Sequence, residues 1–356
     1  MNSRRKFLTE ATVLSSLLLN PVKIFSNEIG NNERENKELI KPKALKKGDK
    51  VALIAPASNI EQAEDLNIAC DVIKWLGFDP VVGKNIMNQY GYLAGQDKER
   101  AEDLNDMFAR KDVAGIICYR GGYGAMRILP YIDYDLIKKN PKVFMGFSDI
   151  TALLQAIYKM TGLVTFHGPV VISSFNDYTM EYLNRAIFSN KIIGEIKNPI
   201  PQTNKVDTEH RLIKINKGKT TGNLVGGNLT LIVSLLGTPY DVDYKNKILF
   251  IEEIDEEPYK ADRMFTQLWL SGKLQELNGI IIGKMTNVKP YEYKPGYTST
   301  LYIEEILRTR LEPLKIPVVY GYAFGHIRDK ITLPVGVKAT LDVDNGLFSI
   351  DENAVI

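Results

Sequence analysis

Short apolar runs alternate with amphipathic stretches through the first half of the chain. VALIAPAS (51–58), VAGIICYRGG (113–122) and KVFMG (142–146) are nearly continuous apolar runs, the pattern of parallel strands buried on both faces. Between them, EQAEDLNIACDVIKWLG and KERAEDLNDMFAR carry helical periodicity, and FDPVVG reads as a further strand. This alternation predicts a parallel α/β sheet with helices on both faces over residues 50–195.

The rhythm changes after about residue 200. HRLIKINKGKTTGNLVGG reads as short strands and turns, and NLTLIVSLLG as a helix. KILFIEEI and NGIIIGKM are buried strands. ADRMFTQLWLSGKL and TLYIEEILRTRLEPL are amphipathic helices, and TLPVGVKATLDVDNGLFSI is a closing hairpin that turns at Asp344-Asn345-Gly346. A second domain, mixed and largely β with helices, is expected over 208–350, with the boundary in the polar stretch 190–207.

The first thirty residues stand apart. Arg4 and Arg5 in SRRKFL precede a modest apolar run, which resembles a twin-arginine export signal and implies a periplasmic protein. Without a functional signal, the location is cytoplasmic. Glu10 and Pro21 interrupt the run, so no stable membrane insertion is expected. Residues 31–49 read as a polar linker. The 356 residues are 44% hydrophobic and 25% charged with net charge +2, an ordinary globular composition without the basic footprint of a nucleic-acid binder. Cys70 and Cys118 match no metal spacing and lie in apolar segments, so they read as free thiols.

Candidate chemistry gathers at strand ends. Ser148 follows the apolar run within two residues of Gly146 and precedes TALLQAIYKM, so it reads either as a nucleophile on a strand-to-helix turn or as a helix N-cap. RGGYGAMR (120–127) follows a strand. Its Gly121 and Gly122 offer backbone N–H groups to an oxyanion, against the alternatives of a phosphate loop and a plain turn. His326 in AFGHIRDK and His167 in TFHGPV are candidate bases, whereas His210 sits in a polar stretch and reads as solvated. The acids Glu252, Glu253, Asp255, Glu256 and Glu257 have the pattern of a solvated run, yet they begin at the end of a buried strand. Strand alternation sends Glu252 and Glu253 to opposite sides, so only one can orient an imidazole.

Taken in order, RGGYGAMRILPYID, FMGFSDITALL, TFHGPV, GNLVGGNLTLIVSLLGTPY, LFIEEIDEEPYKADRMFTQL and FGHIRDKITLPVG resemble the LD-carboxypeptidase family of serine peptidases over roughly residues 45–345. The resemblance implies a triad of Ser148 as nucleophile, His326 as general base and Glu252 as orienting acid, with Glu253 the lesser choice. It implies a Rossmann-like N-terminal domain joined to a mixed, largely β one, and an oxyanion hole of backbone N–H groups at Gly121 or Gly122 and at Asp149, with no metal and no cofactor. It also implies hydrolysis of the amide before a C-terminal D-amino acid, typically D-alanine of the murein tetrapeptide. Arg120 and Arg127 are candidates for the substrate carboxylate by their place in the loop. Homodimers are usual in that family. One alternative keeps the triad and takes acyl-linked aminoacyl nucleotides, as the microcin C immunity peptidase does. A non-catalytic two-lobed binding protein is the alternative from another class; it needs neither a base nor an orienting acid.

Overall fold

The computed structural model describes residues 38–200 and 208–356; the export-signal reading concerns residues outside these. Residues Leu39–Ile356 form one compact unit. Five strands of the first half form a parallel array: β1 (Lys50–Ile54), β2 (Asp79–Val82), β3 (Val113–Cys118), β4 (Val143–Gly146) and β5 (Thr165–His167). The apolar runs become central strands, because helices such as Asp97–Ala109 and Thr151–Thr161 cover the sheet. The chain then builds β6 (Gly194–Ile196), β7 (Ile213–Asn216), β8 (Lys219–Asn228), β9 (Lys247–Ile254), β10 (Gly279–Thr286) and β11 (Val318–Tyr320). It returns to the first sheet as β12 (Leu333–Val335) and ends in a hairpin of β13 (Lys338–Asp342) and β14 (Leu347–Ile350).

The six-stranded sheet has the order β12-β5-β4-β3-β1-β2 and the eight-stranded sheet β6-β14-β13-β8-β9-β10-β11-β7. In the first, strand order reverses between β1 and β3, so a crevice opens beyond their carboxyl ends, the usual ligand position in open α/β sheets. In the second, β8 to β11 are parallel and the flanking pairs antiparallel.

Some sequence expectations differ from the structure. The described end of the stretch read as a polar linker packs on the fold, with Ile40 bridging to Leu163 and Leu45 buried in the core. The stretch read as short strands and turns holds a ten-residue strand, β8, whose glycines accept close packing from β9. The expected closing hairpin is only β13–β14: Leu333–Val335 instead pairs antiparallel with β5, Leu333 opposite His167. Cys118 is buried and Cys70 partly buried, and both are free thiols. Among the described residues, no helix is long and apolar enough to cross a membrane.

The helix Thr151–Thr161 joins the two sheets. It begins at the end of β4, stops at Gly162 in the left-handed conformation, and is buried from Thr151 through Ile157. Thr151 Oγ1 accepts a hydrogen bond from Asn228 N at 3.0 Å, and Gln155 Nε2 donates to Gly226 O, so the helix is fastened to the end of β8. Thr151→Val keeps the shape and strands a buried backbone donor. A loss of about 1–3 kcal/mol is expected, read as a lower urea midpoint at unchanged slope.

Candidate active site

Ser148 stands where β4 gives way to the helix. Phe147 is extended (φ −150°), Ser148 is left-handed (φ +62°), and a 3-10 turn over Ser148–Ile150 leads into Thr151. A non-glycine residue held in this region costs of order 1–3 kcal/mol and persists only where its surroundings fix it. The N-cap role open to Ser148 is not filled. Its Oγ lies 2.9 Å from His326 Nε2, and neither the turn nor the helix has a side-chain cap.

His326 follows the short segment after β11. Its Nδ1 lies 2.6 Å from Glu252 Oε2, and the Glu252 side chain is fully buried. That approach requires Gly325, which is left-handed (φ +106°); a Cβ there would fall 2.8 Å from both Glu252 Cβ and Oε2. Burial raises the Glu252 carboxyl, but the adjacent His326 imidazole, together with His167 and Asn228, holds the group below the ordinary glutamate value. The imidazole is thus oriented by one bond and offers its other nitrogen to the serine.

Glu253 points the other way, as strand alternation requires. It accepts from Asn228 Nδ2 (2.9 Å), Thr230 N (2.8 Å), Thr230 Oγ1 (2.7 Å) and Ile254 N (2.9 Å), and so anchors the helix Leu229–Leu235. The strand end holds its two carboxylates as expected, and of the three acids beyond it Glu257 departs from the solvated pattern. Glu252, Glu253 and Glu257 are all buried, and Glu257 accepts from Tyr291 N and Gly296 N to pin the loop after β10.

The glycine loop lies against the serine. A Cβ on Gly121 would come 2.9 Å from Ser148 Cβ and 3.2 Å from Asp149 N, so only glycine allows this contact. Gly122 is left-handed (φ +107°) and packs on Ser58, whose Oγ accepts from Tyr123 N at 3.1 Å. The Asp149 side chain accepts from Ala125 N at 2.7 Å, and burial raises its carboxyl to about 6. Arg100, buried in the helix Asp97–Ala109, donates to Pro56 O (2.6 Å) and Gly124 O (2.8 Å), and pairs with Asp97 at 2.5 Å. Sequence reading missed Arg100, because a lone arginine in an amphipathic helix carries no motif.

The remaining candidates separate. Arg127 is engaged by both Asp97 oxygens at 2.9 Å and so belongs to the bracing of the loop. Arg120 is half-buried at the end of β3. His167 is buried edge-on to Phe147, Phe250 and Phe324 and does not contact the serine, and burial lowers its imidazole to about 4. His210, read as solvated, is instead largely covered, with Nε2 3.6 Å from Asp329 Oδ2, because the loop before β12 folds over it.

A serine hydroxyl, an imidazole and a buried carboxylate in one hydrogen-bonded line, beside a glycine loop, define a serine-hydrolase type of site. Comparison with known proteins agrees. The LD-carboxypeptidase N-terminal domain matches residues 51–168 and the LD-carboxypeptidase C-terminal domain matches residues 221–341. A "Probable murein peptide carboxypeptidase" of Bacillus subtilis is 41% identical over 304 residues, 85% of this chain and 91% of the relative. The microcin C7 self-immunity protein of Escherichia coli is 34% identical over 298 residues, 78% and 85% of the two chains. A structure of such an immunity protein with aspartyl sulfamoyl adenosine has TM-score 0.79 at 29% identity, covering 89% of this chain and all of that one. The muramoyltetrapeptide carboxypeptidase of Oxalobacter formigenes has TM-score 0.71 at 31% identity, covering 85% and 98%. The chain belongs to the LD-carboxypeptidase family of serine peptidases and is a carboxypeptidase.

Glu252→Gln removes the charge facing the imidazole, and fluorophosphonate labelling of Ser148 is expected to slow on the order of a thousandfold. Glu253→Gln should label within a few-fold of the unmodified protein and lose about 1 kcal/mol of stability. His167 gives a second prediction. Unfolded, its imidazole takes up a proton below about 6.5; folded, only near 4. Acidification between those values therefore favours the unfolded chain, by on the order of 3 kcal/mol. His167→Leu should flatten the stability loss across pH 6.5 to 4 in urea titrations.

Proposed function

We propose that this protein is a serine LD-carboxypeptidase that hydrolyses the amide before a C-terminal D-amino acid, with D-alanine of a murein tetrapeptide as the substrate residue. The observation that carries the reading is the line Ser148 Oγ, His326 Nε2, His326 Nδ1, Glu252 Oε2, with spacings of 2.9 and 2.6 Å. His326 Nε2 takes the Ser148 proton as Oγ bonds to the amide carbon, and Glu252 stabilises the imidazolium. The oxyanion faces the N–H groups of the Gly121–Gly122 loop and of Asp149, an interaction worth about 10²–10³ in rate per donor. Collapse breaks the C–N bond, and His326 returns its proton to the departing amine. Water, deprotonated by His326, then cleaves the acyl-serine ester. The Arg4-Arg5 leader supports action on the exported side of the membrane, where the protein would trim murein peptides.

A second reading keeps the same steps and exchanges the leaving group for an aminoacyl nucleotide. It is favoured by the likeness to the immunity protein and by the exposed pair Tyr92–Tyr123, edge-to-face at 5.5 Å beside the glycine loop, a surface on which a base can stack.

The deciding experiment incubates the protein and its Ser148→Ala variant with L-Ala-D-Glu-meso-diaminopimelate-D-Ala and, separately, with aspartyl sulfamoyl adenosine. Mass spectrometry follows each product. Release of D-alanine by the unmodified protein alone is expected. Cleavage of the adenosine compound without D-alanine release would replace this reading with the second.

A further inference from the structure

We propose that the Lys330 ammonium binds the terminal carboxylate of the departing D-residue and makes the site selective for a free C-terminus. The proposal rests on the carboxypeptidase reading above and goes beyond it by naming the residue that recognises the substrate's end. Lys330 lies four residues after His326, on the segment running from the imidazole to β12. It is 7% exposed, and its backbone N–H donates to Thr179 Oγ1 at 3.1 Å. Its Nζ stands 4.5 Å from the centroid of the Phe147 ring. That ring belongs to the residue before Ser148 and lies 4.8 Å from the His326 ring, centroid to centroid. The ammonium is thus held one aromatic ring away from the nucleophile and its base.

Comparison within the molecule makes its state informative. Lys142 is equally buried, and its Nζ donates to Arg110 O and Val113 O, both at 2.6 Å. Among the described residues, Lys330 Nζ has no hydrogen bond and no carboxylate within ion-pair distance; the π face of Phe147 is its one close partner. Removing a cation from water is costly unless a partner satisfies it. Burial lowers the ammonium to about 8 despite the opposing field of Glu252, so it still carries charge at neutral pH. A buried, charged, unpaired cation beside a reacting centre is suited to an anion that arrives with the substrate.

The chemistry fixes which anion. In the tetrahedral intermediate, oxygen faces the glycine loop and the departing nitrogen must face His326 Nε2, because that atom returns the proton. The terminal carboxyl carbon is two bonds beyond that nitrogen, so it lies on the His326 side. Lys330 shares the His326 segment. Arg120 precedes the glycine loop on the oxyanion side, and Arg127 is occupied by Asp97.

The test compares the tetrapeptide acid with the same peptide ending in D-alaninamide. The unmodified protein should prefer the acid. Lys330→Met keeps the length of the stem over Phe147 and should raise KM for the acid about ten- to a hundredfold, the worth of one charged hydrogen bond, so that the acid-to-amide ratio collapses. Lys330→Arg should restore part of the ratio, and Arg120→Ala should leave the ratio in place. A parallel loss on both substrates in Lys330→Met, or collapse of the ratio in Arg120→Ala instead, overturns the proposal. Calorimetric binding of both peptides to Ser148→Ala, with and without Lys330→Met, reads the preference without turnover. Binding that prefers the acid through Lys330, with no D-alanine released by the unmodified protein, would sink the carboxypeptidase reading and leave the carboxylate site standing. Turnover with a preference that Lys330→Met does not alter would do the reverse.

Discussion

The contact between Glu252 and His326 sets the terms for everything around it. A fully buried carboxylate is tolerable only if it is paired, and one of its oxygens is satisfied by a single imidazole nitrogen at 2.6 Å. For that pair to reach Ser148, two sheets must be fixed against each other, since the serine rises from the first and the glutamate ends a strand of the second. The helix after Ser148 does this. Thr151 and Gln155 grip the end of β8, beside the strand that carries Glu252, so the helix that follows Ser148 registers the carboxylate. Asn228 completes the joint: its backbone donates to Thr151 and its side chain to Glu253.

Close approach decides the small residues and the strained one. Gly325 and Gly121 stand where a Cβ would collide with Glu252 and with Ser148. The left-handed Ser148 costs free energy that the surrounding fold offsets. The loop facing it is braced from behind by Arg100 through Gly124 O and by Asp149 through Ala125 N. These groups act on the backbone of the loop, which is the part that must stay still if N–H groups are to meet a developing charge.

The family likeness and the geometry bear on different parts of the molecule. Relatives with this fold carry names that point to murein peptides and to an aminoacyl nucleotide, two chemistries with different leaving groups. A serine, an imidazole and a carboxylate serve both, because attack on an acyl carbon is common to them. What separates them is the leaving group, and so the residues that would receive it. The environment of Lys330 and the Tyr92–Tyr123 pair are therefore more informative about substrate than the triad.

The sequence alone determined most of the elements and the family. Continuous apolar runs such as VALIAPAS and GIIIG become buried parallel strands, and period-3.6 stretches become their covering helices, because each pattern reflects which faces meet the core. Ser148, His326 and the pair Glu252–Glu253 were legible from motifs at strand ends. The tertiary structure decided what depends on partners far along the chain. It set Glu252 on His326 and Glu253 on the helix of Thr230, carried Leu333–Val335 back to β5, and buried Glu257 within a run of solvated pattern. It also covered His210, tied Arg127 to Asp97, and left Lys330 enclosed without a counter-charge. Periodicity is a local signal with a reach of a few residues. Burial and pairing of a side chain are set by neighbours far along the chain, 178 positions apart for Ser148 and His326 and 311 for Lys41 and Glu352, and only the folded chain brings those together.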